Sequence, residues 1–106
     1  MYKESDYSYR ISFSKEDDEF VATVLEFPLL SYLDKTQTGA LEGINEVVRK
    51  AMEIYAEDGQ ELPEPLALKK YSGKFALRMT PQQHQRVATE AAEQGVSINQ
   101  LLVSRI

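Results

Sequence analysis

SGKFALRMTPQQ, residues Ser72–Gln83, is the stretch on which the fold turns. Between Lys74 and Met79 it alternates. Phe75, Leu77 and Met79 share one face of an extended chain, and Lys74, Ala76 and Arg78 share the other. Thr80-Pro81 then signals a helix, with Thr80 as its cap and Pro81 at the first helical position, where a missing N–H costs nothing. No complementary strand lies close by in the chain. A lone strand leaves its backbone donors and acceptors unpaired, so it needs a partner from elsewhere.

Two helices follow. His84, Val87, Ala88 and Ala91 fall on one stripe of the first, which Gly95 ends. Ser97 caps a second, whose stripe is Ile98, Leu101, Leu102 and Ile106. A strand and two helices of this length cannot bury their own edges and faces. A second copy solves both problems. Two strands pair antiparallel into a ribbon, and Phe75, Leu77, Met79, Val87, Ile98 and Leu102 form the shared dimer core. Lys74, Ala76 and Arg78 of each copy then face outward. A two-stranded ribbon fits the major groove of DNA, where Arg and Lys donate to guanine O6 and N7 and a small Ala meets a thymine methyl. These three are the candidate base-reading residues. Ser97, Ile98 and Asn99, opening the second helix, are candidate phosphate-binding residues through backbone N–H groups and side chains. Lys74 and Arg78 have a competing reading, because charges on an exposed strand also discourage aggregation.

The bulk numbers permit this. The chain has 106 residues, 42% of them apolar, enough for one domain or two very small ones. It has no cysteine, which excludes disulfides and thiolate metal sites. Net charge is −5, but unevenly spread. Residues 1–65 carry 6 Lys+Arg and 15 Asp+Glu, net −9, and residues 66–106 carry 6 and 2, net +4. Such asymmetry suits two partners of opposite charge; solubilising charge scattered by chance is the plainer account. There is no apolar run of about 18 residues, and MYKESDYSYR at the N-terminus has no apolar signal region. The expected location is cytoplasmic, with no membrane partner.

Upstream, YSYRISFS (Tyr7–Ser14) and FVATVLEF (Phe20–Phe27) alternate as two strands of a hairpin, joined by the polar turn KEDDE (Lys15–Glu19). Pro28 ends the second strand, and LLSYLD (Leu29–Asp34) reads as a short third. A helix starts near Thr36 or Thr38 and runs to about Glu57, with Ala40, Leu41, Ile44, Val47, Val48, Ala51, Met52 and Tyr55 on one face. Asp58-Gly59 stops it. In the connection that follows, ELPEPLALKKYSG (Glu61–Gly73), LALKKY has the composition of a fourth strand. The predicted class is α+β: a β-β-β-α(-β) unit over residues 1–71 and a β-α-α unit over 72–106.

KFALRMT, the AAEQGVSIN turn and the spacing of INQLLVSRI resemble the ribbon-helix-helix fold of the Arc and MetJ repressors, known β-ribbon readers of DNA. The segment FVATVLEFPLLSYLDKTQTGALEGINEVVRKAMEIYAEDGQELPEP resembles HicB antitoxins. That resemblance implies a partial ribonuclease H-like N-terminal domain. It implies a HicA-like toxin, a small basic RNA-cleaving protein, as partner, and a C-terminal module that represses its own operon. The implied function is that of a type II toxin–antitoxin antitoxin and autorepressor. The expected minimum assembly is a homodimer, which contacts between N-terminal sheets could raise to a tetramer. The alternative is a solitary HicB-like regulator with no toxin. Two positions depart from the family pattern. PLLSYL stands where a Pro-Gly turn is common, and Gly39 stands where a Glu is common at the third helical position.

No enzyme is expected. Ribonuclease H chemistry needs carboxylates converging on two metals, whereas Tyr7–Phe13 offers none and Asp17 and Asp18 sit in a turn. His84 is the one histidine and lies on an apolar stripe, where it reads as a packing or dimer-contact residue. Tyr2, Tyr7 and Tyr9 read as packing on strands. No catalytic set, glycine-rich phosphate loop or metal-ligand spacing is present. No cofactor and no small-molecule substrate are expected.

Overall fold

In the N-terminal strands the alternation sets which residues turn inward. A computed structural model of the chain describes residues 1–106, and contacts divide it into two compact units, Met1–Tyr71 and Ser72–Ile106. In the first unit β1 (Tyr9–Ser14), β2 (Glu19–Val24) and β3 (Ser31–Asp34) form a three-stranded antiparallel sheet in the order β1-β2-β3. Ile11 pairs with Ala22, which pairs with Tyr32, so these three share a face. Between β1 and β2 the turn places Asp18 at φ 52°, a left-handed conformation that Asp tolerates better than most residues.

One helix, α1 (Gln37–Glu57), covers the sheet. Thr36 is the cap, its hydroxyl accepting from the Gly39 N–H at 2.9 Å. Ala40, Ile44 and Val48 recur every fourth residue and are wholly buried against Ala22 and Val24 of β2. Leu41, expected on that stripe, is 40% exposed; it stands one position, or about 100°, round the helix from Ala40. Tyr7, Phe27 and Tyr55 close the end of the core edge-to-face, with ring centroids 5.0 and 5.7 Å apart.

Two glycines let α1 lie close on β3. A Cβ at Gly43 would fall 2.0 Å from Cε2 of Tyr32. One at Gly39 would fall 2.0 Å from Oδ2 of Asp34, which accepts from both the N–H and the hydroxyl of Thr36. The space that a Glu would need at Gly39 is therefore already filled by Asp34.

Leu66–Tyr71 is not a fourth strand. The Pro65 carbonyl accepts from the N–H groups of Leu68 and Lys69, which turns the chain back on itself instead of extending it. Pro65 itself is fully buried in the first unit.

The second unit holds α2 (Pro81–Gln94) and α3 (Ile98–Ser104). Both start with reciprocal capping boxes, Thr80 with Gln83 and Ser97 with Gln100. Gly95, at φ 69°, takes the left-handed position that ends α2. Arg105 reaches back to pair with Glu90. Only Ala91 and Leu101 are buried in this unit, and Ile106 lies beyond the end of α3, fully exposed. No helix of the chain is long and apolar enough to cross a membrane.

Candidate nucleic-acid interface

Lys74–Met79 forms no ladder within the chain. A strand becomes one by pairing, and the single chain offers it no partner. Its apolar residues are left in water: Phe75 is 87% exposed and Leu77 57%, while Met79 is half-buried. For a large apolar side chain this is a costly place unless something covers it.

Phe75, Leu77 and Met79 line an open groove of 1140 Å³ in the second unit, together with His84, Ile98 and Leu102, and Lys74 and Arg78 border the same groove. The groove thus gathers five of the six residues expected in a dimer core. The sixth, Val87, is half-buried on α2 and lines a smaller neighbouring recess with Leu77 and Met79. His84 is exposed on the wall of the main groove. The expectation that it packs on the inner stripe of its own helix is corrected: within the unit that stripe is Val87, Ala88 and Ala91, one turn further along.

Lys74, Ala76 and Arg78 are all exposed. Arg105 is neutralised by Glu90, whereas Lys74, Arg78 and Arg86 have no acidic partner. At the start of α3 the capping box occupies the Ser97 and Gln100 N–H groups. The N–H groups of Ile98 and Asn99 remain without an intrachain acceptor, as the first N–H groups of a helix do.

In the first unit the polar detail centres on Glu26, which sequence reasoning quoted without giving it a role, and on Tyr7 and Tyr9, which it read as packing. The Glu26 carboxylate accepts from the Ser8 N–H (2.9 Å), the Ser8 hydroxyl (3.0 Å) and the Leu66 N–H (2.9 Å). Burial pushes its pKa up, but the Leu66 and Ser8 hydrogen bonds outweigh that and hold it below the usual carboxylate range. The Tyr7 hydroxyl donates to the Pro63 carbonyl at 2.9 Å, and burial, then the neighbouring Tyr2, raises its pKa. Tyr9 donates to the Glu4 carbonyl at 2.7 Å and is pushed up to about 12 by burial and by the Glu4 charge. The only signal for Glu26 in the sequence is the quoted EFP, because its partners lie 18 and 40 residues away.

No three or more His, Asp or Glu side chains are grouped so as to hold a metal ion. Asp17 bonds with Ser14 and shapes the hairpin turn.

Residues 55–106, a little under half of the chain, match the model of the HicB family. The match spans the end of α1, the connection and the whole second unit. Over those residues the chain is similar to proteins of the HicB family. No curated protein and no solved structure matches the chain.

Proposed function

We propose that the protein is a HicB-type antitoxin that also represses its own operon. In this reading the second unit is a ribbon-helix-helix half. Two copies pair Lys74–Met79 into a ribbon, and the Phe75, Leu77 and Met79 side chains of each enter the groove lined by Ile98 and Leu102. The ribbon lays Lys74, Ala76 and Arg78 in the major groove, where they read bases. Ser97, Ile98 and Asn99 hold phosphate, with the free N–H groups of Ile98 and Asn99 as donors. The first unit, read as a partial ribonuclease H-like fold, binds a small basic RNA-cleaving toxin, its acidic surface complementary to the toxin's charge. The role is binding and masking, not catalysis.

The observation that carries the reading is an unpaired segment whose bare apolar residues and unneutralised cations both border one open groove with Ile98 and Leu102. A second reading, a solitary regulator without a toxin, is favoured by the family match leaving residues 1–54 outside it.

The experiment is electrophoretic binding of the purified protein to its own upstream DNA, over a salt series and against unrelated competitor DNA. A specific shift that weakens steeply with salt is expected. No shift beyond the competitor's overturns the repressor reading and leaves the ribbon a dimerisation device only.

A further inference from the structure

His84 is the one histidine of the chain, exposed on α2 where it forms part of the wall of the open groove. The other elements around the groove bring cations to it: Lys74 and Arg78 from the unpaired segment and Arg105 from the cap of α3. No side-chain carboxylate lines it. The second unit has only two, Glu90 and Glu93. Glu90 pairs with Arg105, and Glu93 borders a separate recess with Gln82 and Arg86. Lys74 and Arg78 therefore stand uncompensated, and the remaining lining is mostly apolar, with Phe75, Leu77, Ile98 and Leu102.

We propose that His84 makes the pairing of two copies sensitive to pH: a neutral imidazole in this groove permits the dimer, and a protonated one opposes it. The inference rests on the ribbon dimer proposed above and names a regulation of that interface. In the single unit His84 lies in water, which screens a charge. In the dimer the apolar side chains of the ribbon cover the groove, and two sets of Lys74 and Arg78 come together. Both changes act in one direction, because withdrawal from water and neighbouring cations each disfavour the charged form of an imidazole. The dimer thus holds the proton more weakly than the separate copies do. Association is strongest above the pH at which a histidine in water titrates, ~6.5, and weakens as pH falls through it. Each copy brings one His84, so the effect enters twice. Histidine is also the one side-chain type of this chain that ordinarily changes charge between about pH 5.5 and 7.5. The displaced groups lie further from that window, Glu26 and Glu46 downward and Tyr7 and Tyr9 upward.

The test is sedimentation of the full chain over a dilution series, at about pH 7.5 and about pH 5.5 and one ionic strength, for the parent, His84→Gln and His84→Lys. In the parent the dimer dissociation constant is expected to rise ~10-fold or more at the lower pH, the linkage of two protons each held about one pH unit more weakly in the dimer. His84→Gln, neutral throughout, keeps the parent's higher-pH constant at both values. His84→Lys, charged throughout, is weak at both. A parental constant that does not move with pH overturns the inference and leaves the ribbon standing. A pH dependence that persists in His84→Gln overturns it too, since another group then titrates. No dimer at the higher pH overturns the ribbon and this inference with it. The parent alone supplies a second readout that needs no substitution. The ring-proton resonance of its single histidine should titrate at lower pH in protein that sedimentation shows to be dimeric than in protein it shows to be monomeric. Equal midpoints overturn the inference.

Discussion

Phe75→Ala separates dimer energetics from the fold of the single chain. Phe75 is 87% exposed, so the unit that contains it loses almost nothing on truncation. In the proposed dimer the same side chain is buried in the partner's groove. Full burial of a Phe is worth ~1.5–3 kcal/mol relative to water. A dimer holds two copies, so the substitution costs it ~3–6 kcal/mol, or about two to four decades in the dimer dissociation constant. Leu101→Ala makes the contrast. Leu101 is 3% exposed within the single unit, and its truncation costs ~2–5 kcal/mol before any partner is considered. Sedimentation over a dilution series gives the dissociation constant, and thermal melts at several protein concentrations give the coupling, because the midpoint of a dimer rises with concentration. The expected result is a weakened dimer for Phe75→Ala whose monomer melts like the parent's. A parental dissociation constant refutes the ribbon. So does a monomer destabilised as much by Phe75→Ala as by Leu101→Ala, since Phe75 would then serve the unit's own core.

Three further outcomes are expected. Arg78→Ala weakens binding to the correct operator by ~1–3 kcal/mol and spares the fold, read by titration against operator and by circular dichroism; equal affinity removes Arg78 from base readout. Gly43→Ala lowers the thermal midpoint although Ala is the better helix former by ~1 kcal/mol, because the new Cβ meets the Tyr32 ring at 2.0 Å; a raised midpoint means that the ring moves aside freely. Tyr9 titrates at about 12 in the fold instead of 10.0, so the stability it contributes is complete below pH 10 and is lost as pH climbs from 10 towards 12; Tyr9→Phe should flatten the alkaline decline of denaturant stability, and an unchanged decline assigns it to another group.

What the sequence made legible follows from the range over which each signal acts. The hairpin, α1 and both C-terminal helices rest on alternation, periodicity and caps, all readable within four or five residues, and Thr36, Thr80 and Ser97 cap where such signals place them. LALKKY misled because composition reports what a strand tolerates, not whether a neighbour exists to pair with it; the Pro65 carbonyl took the amides first. Gly39, which stands where a Glu is common, fits against Asp34, a residue outside the helix. His84 does not pack within its own unit but lies exposed on the groove wall, where the dimer-contact reading remains part of the proposed dimer. Of the candidate site, the alternation of Lys74–Met79 could be read directly. Glu26 could not, since nothing local marks a carboxylate whose donors come from opposite ends of the unit.

The two units differ in how far they bury their own apolar residues, and that difference is what the proposed dimer answers. The first gathers seven buried apolar residues around one helix and three paired strands. The second buries two, Ala91 and Leu101, and leaves an unpaired segment and a groove open. The apolar surface that this unit leaves in water is concentrated in Phe75, Leu77 and the groove beside them. In the proposed dimer, pairing of two copies is what would cover it.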